Sequence, residues 1–235
     1  MIKKILMILV IMAVAGCSEP EEKNEIIISV AASLTEGIEE IAKTYTRDTG
    51  TEVRINTGGS GSLKRQVENG APVDFIFLAS KRYVEELVKG DLLKKREDLL
   101  SNILVVAGKE EIDSLRDIKG LVAMGDPDFV PAGRYAREAL TRSGVWDEIE
   151  KNLLLTKDVR SALSYINRGE VDYSVVYQTD AILLKDSVIY EIDREMYSPI
   201  IYSAGVKSGS KEGQKFNDYL LENIDVFEKY GFKVR

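Results

Sequence analysis

The sequence of 235 residues contains no histidine. Catalytic triads with a histidine base, histidine general bases and histidine-ligated zinc sites are therefore excluded. The sequence contains one cysteine, Cys17, which excludes a disulfide bond within the chain and any Cys-x-x-Cys site. Because catalytic sites built on histidine or on paired cysteines are excluded, we expect that the protein is not an enzyme.

The sequence also lacks a surplus of positive charge. Its 32 lysine and arginine residues are outnumbered by 39 aspartate and glutamate residues, and the formal net charge at pH 7 is -7. Nucleic acids are held by basic surfaces, so the charge balance argues against a nucleic-acid partner. An anionic ligand would gain nothing from the overall field of this protein. A site for an anion must therefore be built locally, from dipoles that point at the ligand.

Long apolar runs are missing except at the N-terminus. Residues 1–16 combine Lys3 and Lys4 with an apolar run that is too short to cross ~30 Å of hydrocarbon comfortably, which predicts a signal peptide. The letters VAGC at 14–17 resemble the bacterial lipobox, and this resemblance implies cleavage before Cys17 and acylation of its thiol. The alternative is a free cysteine in an ordinary signal peptide. Residues 17–25 are polar, and we expect them to form a flexible tether.

Strand and helix patterns alternate after the tether. Short apolar runs typical of buried strands are separated by amphipathic segments that end at glycine. Repeated strand–helix units predict an α/β fold, in which mostly parallel sheets are flanked by helices. The predicted strands include 26–31, 52–56, 73–79, 103–107, 171–177 and 200–206.

The loops after these strands are candidates for an anion site. In parallel sheets, ligands bind at the carboxyl ends of the strands. Loops that start at Ala32, Thr57, Pro127 and Thr156 each run into a predicted helix, and Tyr177 ends a strand at an equivalent position. The first turn of a helix has backbone N–H groups without acceptors and a partial positive charge, so several such turns could surround a small dianion.

Each motif in these loops also has a purely structural explanation. Ser33 begins an S-x-x-E capping box, which is usually only a helix cap. The run GGSGS at 58–62 is often a flexible linker, although its place between a strand and a helix favours a binding loop. The PAG segment at 131–133 is also a simple helix start, and Tyr177 is also a tyrosine at the edge of a core.

Taken in order, the motifs resemble the periplasmic molybdate-binding proteins of ABC transporters, a type II solute-binding protein family. The resemblance covers the chain from about residue 26 to its end. It is carried by AASLT at 31–35, GGSGSL at 58–63, GAPVD at 70–74, GDP at 125–127 with VPAGRYA at 130–136, DVR at 158–160, VY at 176–177 with DA at 180–181, and YGF at 230–232.

The resemblance implies a site and a fold. The oxyanion would be held by hydroxyl and amide groups of Ser33 and Ser60, by the backbone amides of Ala132 and Val159, and by the hydroxyl of Tyr177. The fold would be the two-lobed periplasmic-binding-protein fold. The first lobe would contain residues 26–102 and 204–235, and the second lobe residues 103–203. Asp74 would be structural.

The resemblance also implies a function. The protein would capture molybdate or tungstate for an ABC import permease, without a cofactor or a direct metal-cation ligand. Together with the lipobox, this predicts an extracytoplasmic protein that is lipid-anchored through Cys17, and we expect a monomer. Two alternatives are a binding protein for another oxyanion, such as sulfate, or for another solute. A third alternative is an enzyme on the same fold.

A site that contains only donors suits these anions. Molybdate, tungstate and sulfate carry no proton near neutral pH, so every ligand oxygen is an acceptor. Hydrogen phosphate carries a proton and would need an acceptor in the site. Asp158 is the nearest candidate acceptor, but we expect its carboxylate to cap the following helix.

Overall fold

The computed structural model describes residues 25–185 and 187–235. The predicted signal peptide at 1–16, the lipidation site Cys17 and all but the last residue of the predicted tether lie outside the described residues. Within the described residues, the chain forms two sheets that are both covered by helices. This arrangement confirms the predicted α/β class. No helix in this part of the chain is long and apolar enough to cross a membrane.

The first sheet has six strands in the order β11-β4-β10-β3-β1-β2. The strands at 75–78 and 200–206 are fully buried, and the strand at 25–31 is buried except at Glu25 and Ile27, which agrees with their apolar sequences. Four helices cover this sheet and, with it, make up what we call the first half of the molecule. The strands are β1 (Glu25–Ala31), β2 (Glu52–Gly58), β3 (Phe75–Leu78), β4 (Glu97–Asn102), β10 (Ile200–Val206) and β11 (Lys233–Val234). The helices are α1 (Thr35–Thr49), α2 (Ser60–Glu68), α3 (Lys81–Lys89) and α8 (Lys211–Glu222).

The second sheet has five strands in the order β7-β6-β8-β5-β9. With its four helices it makes up the second half of the molecule. The strands are β5 (Leu104–Gly108), β6 (Val122–Gly125), β7 (Leu153–Thr156), β8 (Tyr173–Tyr177) and β9 (Val188–Glu191). The helices are α4 (Pro131–Arg142), α5 (Trp146–Ile149), α6 (Val159–Asn167) and α7 (Gln178–Ala181).

Both sheets are mixed, so the expectation of mostly parallel sheets is wrong. Strands β1, β2 and β3 are parallel, but β10 is antiparallel to β3 and β4, and β5 is antiparallel to β8 and β9. The cause is the connection between the halves. The chain passes from β4 to β5 through Ile103 alone, and it later returns to the first sheet in β10. Direct connections of this kind replace the helical crossovers that parallel neighbours require.

The return strand also bears on the predicted lobes. Strand β10 (Ile200–Val206) lies entirely in the first sheet, so the predicted division between residues 203 and 204 falls inside a strand. The first crossing, between β4 and β5, lies at Ile103, next to the predicted division between 102 and 103. The lobe bounds themselves remain a prediction.

Helix α1 shows how the sequence pattern places a helix on its sheet. Its buried side chains include Ile38, Ile41 and Tyr45, which recur every three to four residues and face the core. The helix ends at Gly50, which has a φ of 73° that favours glycine. Tyr45 packs edge-on against Phe216 of α8, with ring centroids 5.2 Å apart.

Candidate functional site

One small cavity between the two halves is bordered by all five residues that the sequence singled out. The space between the lining atoms, including the mouth of the cavity, is about 210 Å³. The five residues are buried, with at most 4% of any of them exposed. The cavity is lined by Ala31, Ala32, Ser33, Gly58, Gly59, Ser60, Ala79, Val130, Pro131, Ala132, Val159 and Tyr177.

Strand pairing in the first half brings two of the loops together. Strands β1 and β2 are parallel, and Ala31 at the end of β1 is paired with Gly58 at the end of β2. The residues that follow, Ser33 and Ser60, therefore leave the same edge of the sheet side by side. This is the edge at which the sequence predicted a ligand site.

Strand pairing does the same in the second half. Strands β6 and β7 are parallel, and Gly125 at the end of β6 is paired with Thr156 at the end of β7. Helices α4 and α6 begin shortly after these strand ends, at Pro131 and Val159. Tyr177 ends the neighbouring strand β8. The helix starts and the tyrosine thus reach the cavity from the side opposite the serines.

The helix starts that border the cavity have backbone N–H groups available for a ligand. Helices α2 and α4 have no side-chain cap. In α6, the carboxylate of Asp158 accepts a hydrogen bond from the backbone N–H of Ser161 over 2.7 Å, which confirms that Asp158 is an N-cap. The N–H groups of Ala132 and Val159 lie in first turns, where an α-helix provides no acceptor of its own.

The predicted capping box at Ser33 is wrong. Residues Ala32–Leu34 form a short 3₁₀ segment before α1, and no side chain caps the start of α1. The Ser33 hydroxyl lies instead 2.8 Å from the hydroxyl of Tyr202 on β10. The side chain of Thr35 donates to the carbonyl of Ala32. Burial of Ser33 against the sheet brings its hydroxyl within reach of Tyr202 and leaves the cap position to Leu34.

The second serine is fixed by a backbone group. The Oγ of Ser60 accepts a hydrogen bond from the backbone N–H of Ala79 over 3.1 Å. A backbone N–H can only donate, so the Ser60 oxygen is the acceptor in this contact. The Ser60 hydrogen is therefore available for another acceptor. Ser60 is the first residue of α2, so the last three residues of the predicted GGSGS loop are helical.

The hydroxyl of Tyr177 is buried and has no hydrogen-bond partner among the described residues. A buried hydroxyl without a partner destabilises a protein by about 1–3 kcal/mol. Burial raises the pKa of Tyr177 well above its ordinary value, so the hydroxyl keeps its proton. The side chain therefore brings an unused donor to the cavity.

Among the residues that the structure describes, no lysine, arginine, aspartate or glutamate lines the cavity. Charged groups lie just outside it, where Arg160 contacts Glu36 over 2.5 Å and Asp180 over 2.6 Å. The first contact joins the two halves. Asp180 is fully buried, and burial raises its pKa from 3.8 to about 7, although the Arg160 guanidinium opposes this shift. The contact between Arg160 and Asp180 is poorly aligned, so neither carboxylate oxygen has a good donor in the described part of the chain.

The two halves touch directly at the glycine loop. The backbone N–H of Gly61 donates to the carbonyl of Phe129 over 3.0 Å. A Cβ atom added at Gly61 would lie 2.2 Å from that carbonyl oxygen, and one added at Gly59 would lie 2.3 Å from the carbonyl oxygen of Lys157. These glycines are therefore needed for the close approach of the halves.

Sequence reasoning missed Tyr202 and Asn102, which lie behind the cavity. Tyr202 is fully buried, and its hydroxyl contacts both Ser33 and Asn102. The only signal in the sequence is a tyrosine in an apolar strand, which does not differ from a core tyrosine. Asp74 was predicted to be structural, and its carboxylate accepts from the Ile27 backbone and the Ser210 hydroxyl. Among the described residues, no cluster of acidic or sulfur ligands could hold a metal cation.

Comparisons with known proteins agree with this architecture. Residues 26–233 match the family described as bacterial extracellular solute-binding protein. The molybdate-binding protein ModA of Escherichia coli is 33% identical over 95% of this chain and 94% of its own length. The Bacillus subtilis protein YvgL is 37% identical over 93% of this chain and 92% of its own length. Its provisional name is ABC transporter substrate-binding lipoprotein. The periplasmic molybdate-binding protein of Azotobacter vinelandii superposes with a TM-score of 0.80 over 89% of this chain and 99% of its own; it is 19% identical and supports the fold alone.

Proposed function

The chain belongs to the family of bacterial extracellular solute-binding proteins, and we propose that it captures molybdate or tungstate and delivers the anion to an ABC import permease. One observation carries this proposal. The cavity at the meeting point of the halves offers hydroxyl and amide donors from five positions, and no charged side chain of residues 25–185 or 187–235 lines it. The similarity to molybdate-binding relatives over nearly the whole chain supports the same ligand.

The chemistry of the lining favours an unprotonated dianion. The oxygen of Ser60 already accepts from a backbone N–H, and the hydroxyl of Tyr177 has no hydrogen-bond partner within the described residues. The amides at the starts of α4 and α6 can only donate. A ligand that carries a proton would find no carboxylate acceptor in the lining, whereas molybdate and tungstate present only acceptors.

The absence of a countercharge in the lining is compatible with tight binding. The partial positive charge of a helix start favours an anion, and several such ends act together here. Burial strengthens each contact, because the effective dielectric constant inside a protein is low. The cost of removing the anion from water is offset by donors that the fold has already oriented.

Capture is proposed to involve closure of the two halves, and the closed form would then dock on the permease. The contact of Arg160 with Glu36 and the hydrogen bond from Gly61 to Phe129 both join the halves next to the cavity. Such contacts form only when the halves are together. A ligand bound to both halves would shift the population towards this arrangement.

Attachment to the cell membrane through an acylated Cys17 is proposed from the lipobox, and a monomer is expected. Incorporation of a labelled fatty acid by the expressing bacterium, lost in Cys17→Ser, would support the anchor. Labelling that persists in Cys17→Ser would contradict it.

The ligand is tested by calorimetric titration of the purified protein with molybdate, tungstate, sulfate and phosphate. We expect molybdate and tungstate to bind with similar affinity and hydrogen phosphate to bind far more weakly. Sulfate is the second candidate because it also carries no proton and differs mainly in size. Tighter binding of sulfate than of molybdate would make the protein a sulfate-binding member of the family, and tighter binding of phosphate would contradict the donor-only site.

A further inference from the structure

Behind Ser33, three side chains form a hydrogen-bond chain that runs from the connection between the halves to the cavity. The amide of Asn102, the last residue of β4, contacts the hydroxyl of Tyr202 over 3.3 Å. The hydroxyl of Tyr202 contacts that of Ser33 over 2.8 Å. Distance alone allows either hydroxyl in the second contact to be the donor. The surrounding groups decide which one donates.

The orientation of the Asn102 amide is fixed by the backbone. Its oxygen accepts a hydrogen bond from the N–H of Ile103 over 2.9 Å, and a backbone N–H can only donate. The NH₂ group of Asn102 must therefore face the other way, towards Tyr202 and towards the hydroxyl oxygen of Thr179 at 2.9 Å. An amide NH₂ group has donors and no acceptor. The oxygen of Tyr202 thus accepts from Asn102.

The hydroxyl hydrogen of Tyr202 is then left with a single acceptor among the described residues. Burial raises the pKa of Tyr202 well above its ordinary value, so the hydroxyl remains protonated. With Asn102 as a donor on one side, the remaining acceptor in the described part of the chain is the oxygen of Ser33. Ser33 therefore accepts from Tyr202, and its own hydrogen is left for an acceptor in the cavity that it lines.

From this geometry we infer that Asn102 and Tyr202 are positioning residues that hold the Ser33 hydroxyl as an obligate donor towards the ligand. The inference rests on the proposed function and extends it from affinity to selectivity. Ser60 is held as a donor in the same way, because its oxygen accepts from the backbone N–H of Ala79. Because both serine oxygens already accept a hydrogen bond, neither serine readily accepts another one from a protonated ligand oxygen, and protonated oxyanions bind more weakly.

The test measures affinity for molybdate and for phosphate at a pH where phosphate is mainly the singly protonated dianion. The two anions then carry the same charge. In Tyr202→Phe, the Ser33 hydroxyl is free to rotate and to accept. We expect molybdate to bind about threefold to tenfold more weakly, and the preference for molybdate over hydrogen phosphate to fall by about tenfold.

A second variant reverses the donor–acceptor direction of these hydrogen bonds and keeps Tyr202. In Asn102→Asp, the new carboxylate oxygen accepts from Tyr202, so the tyrosine oxygen accepts from Ser33 and the Ser33 hydrogen turns away from the cavity. The added negative charge weakens the binding of both dianions. Because both anions carry the same charge, this effect cancels in the ratio of their affinities. We expect this ratio to fall by about tenfold or more, as it does in Tyr202→Phe.

Tyr45→Phe is the matched control, since Tyr45 is a buried tyrosine of the first half that does not line the cavity. It should leave the ratio at the wild-type value. A wild-type ratio in both Tyr202→Phe and Asn102→Asp would overturn the inference while the proposed function stands. Failure of the wild-type protein to prefer molybdate or tungstate would instead count against the proposed function. If sulfate is preferred, the ratio of sulfate to hydrogen phosphate tests the same positioning.

Discussion

The backbone N–H of Gly61 and the carbonyl of Phe129 form a 3.0 Å hydrogen bond that joins the first turn of α2 in the first half to the loop before α4 in the second half. A side chain at Gly61 would place its Cβ 2.2 Å from the Phe129 oxygen. No real Cβ contact is that short, so the halves cannot meet in this way once residue 61 has a side chain.

We therefore expect Gly61→Ala to weaken molybdate binding by about tenfold or more, because it opposes closure. Gly90→Ala is the matched control, since Gly90 does not line the cavity and the nearest contact of its added Cβ would be the carbonyl oxygen of Glu86, at 3.5 Å. Calorimetry and small-angle scattering check the prediction. Gly61→Ala should lose the compaction that ligand causes in the wild-type protein, and equal behaviour of the two variants would contradict it.

Ser33→Ala and Ser60→Ala should each weaken binding by about 1–3 kcal/mol, since each leaves an oxygen of the buried anion without a donor. Ser174→Ala is the control. Ser174 is also fully buried, but it donates to the carbonyl of Ala123 inside the second sheet. Titration of the three variants should show lower affinity only for the first two. Unchanged affinity in both would remove these serines from the site.

Tyr177→Phe should separate binding from stability. Its hydroxyl has no partner in the described part of the chain, so its removal should raise the free energy of unfolding of the ligand-free protein by about 1 kcal/mol while affinity falls. Tyr197→Phe should instead lower the free energy of unfolding and leave affinity unchanged, because the Tyr197 hydroxyl accepts from the Leu104 N–H and does not line the cavity. Urea unfolding and titration of both variants check this. If Tyr177→Phe were less stable than wild type and bound molybdate with normal affinity, the tyrosine would have a purely structural role.

The role of the Val159 amide can be tested with proline. Val159 is the first residue of α6, where proline fits, and the preceding Asp158 has an extended backbone that proline tolerates. Val159→Pro deletes the N–H, whereas Val159→Ala keeps it and also shortens the side chain. We expect affinity in Val159→Pro to be about tenfold or more below that in Val159→Ala. Equal affinities would argue against a main-chain contact.

Asp180 should make stability depend on pH in a defined window. Its pKa in the folded protein is about 7, and its ordinary value is 3.8. Between these values the folded state binds more protons at this site than the unfolded state does, so Asp180 lowers the free energy of unfolding progressively as pH rises from about 4 to about 7. The Asp180→Asn variant has no ionisable group at this position, so this contribution to the pH dependence of stability is absent. Urea unfolding at several pH values should show wild type losing stability relative to Asp180→Asn across this window, and a constant difference would be evidence against the shift.

Much of the fold follows from local patterns in the sequence. The period of apolar residues predicts the strands and helices, and Gly50 marks the end of α1 as expected. The positions of the candidate loops at strand ends could also be predicted, because parallel neighbours end at the same edge. The five candidate residues accordingly line one cavity.

Only the tertiary structure decided the partners of these residues. The hydroxyl of Ser33 contacts Tyr202, 169 residues away along the chain, rather than the helix that it was expected to cap. The antiparallel pairing of β10 with β3 and β4 depends on where the chain returns to the first sheet. Local sequence encodes which residues are buried and with what period. It does not encode which distant group meets a buried hydroxyl, because that depends on how whole elements pack.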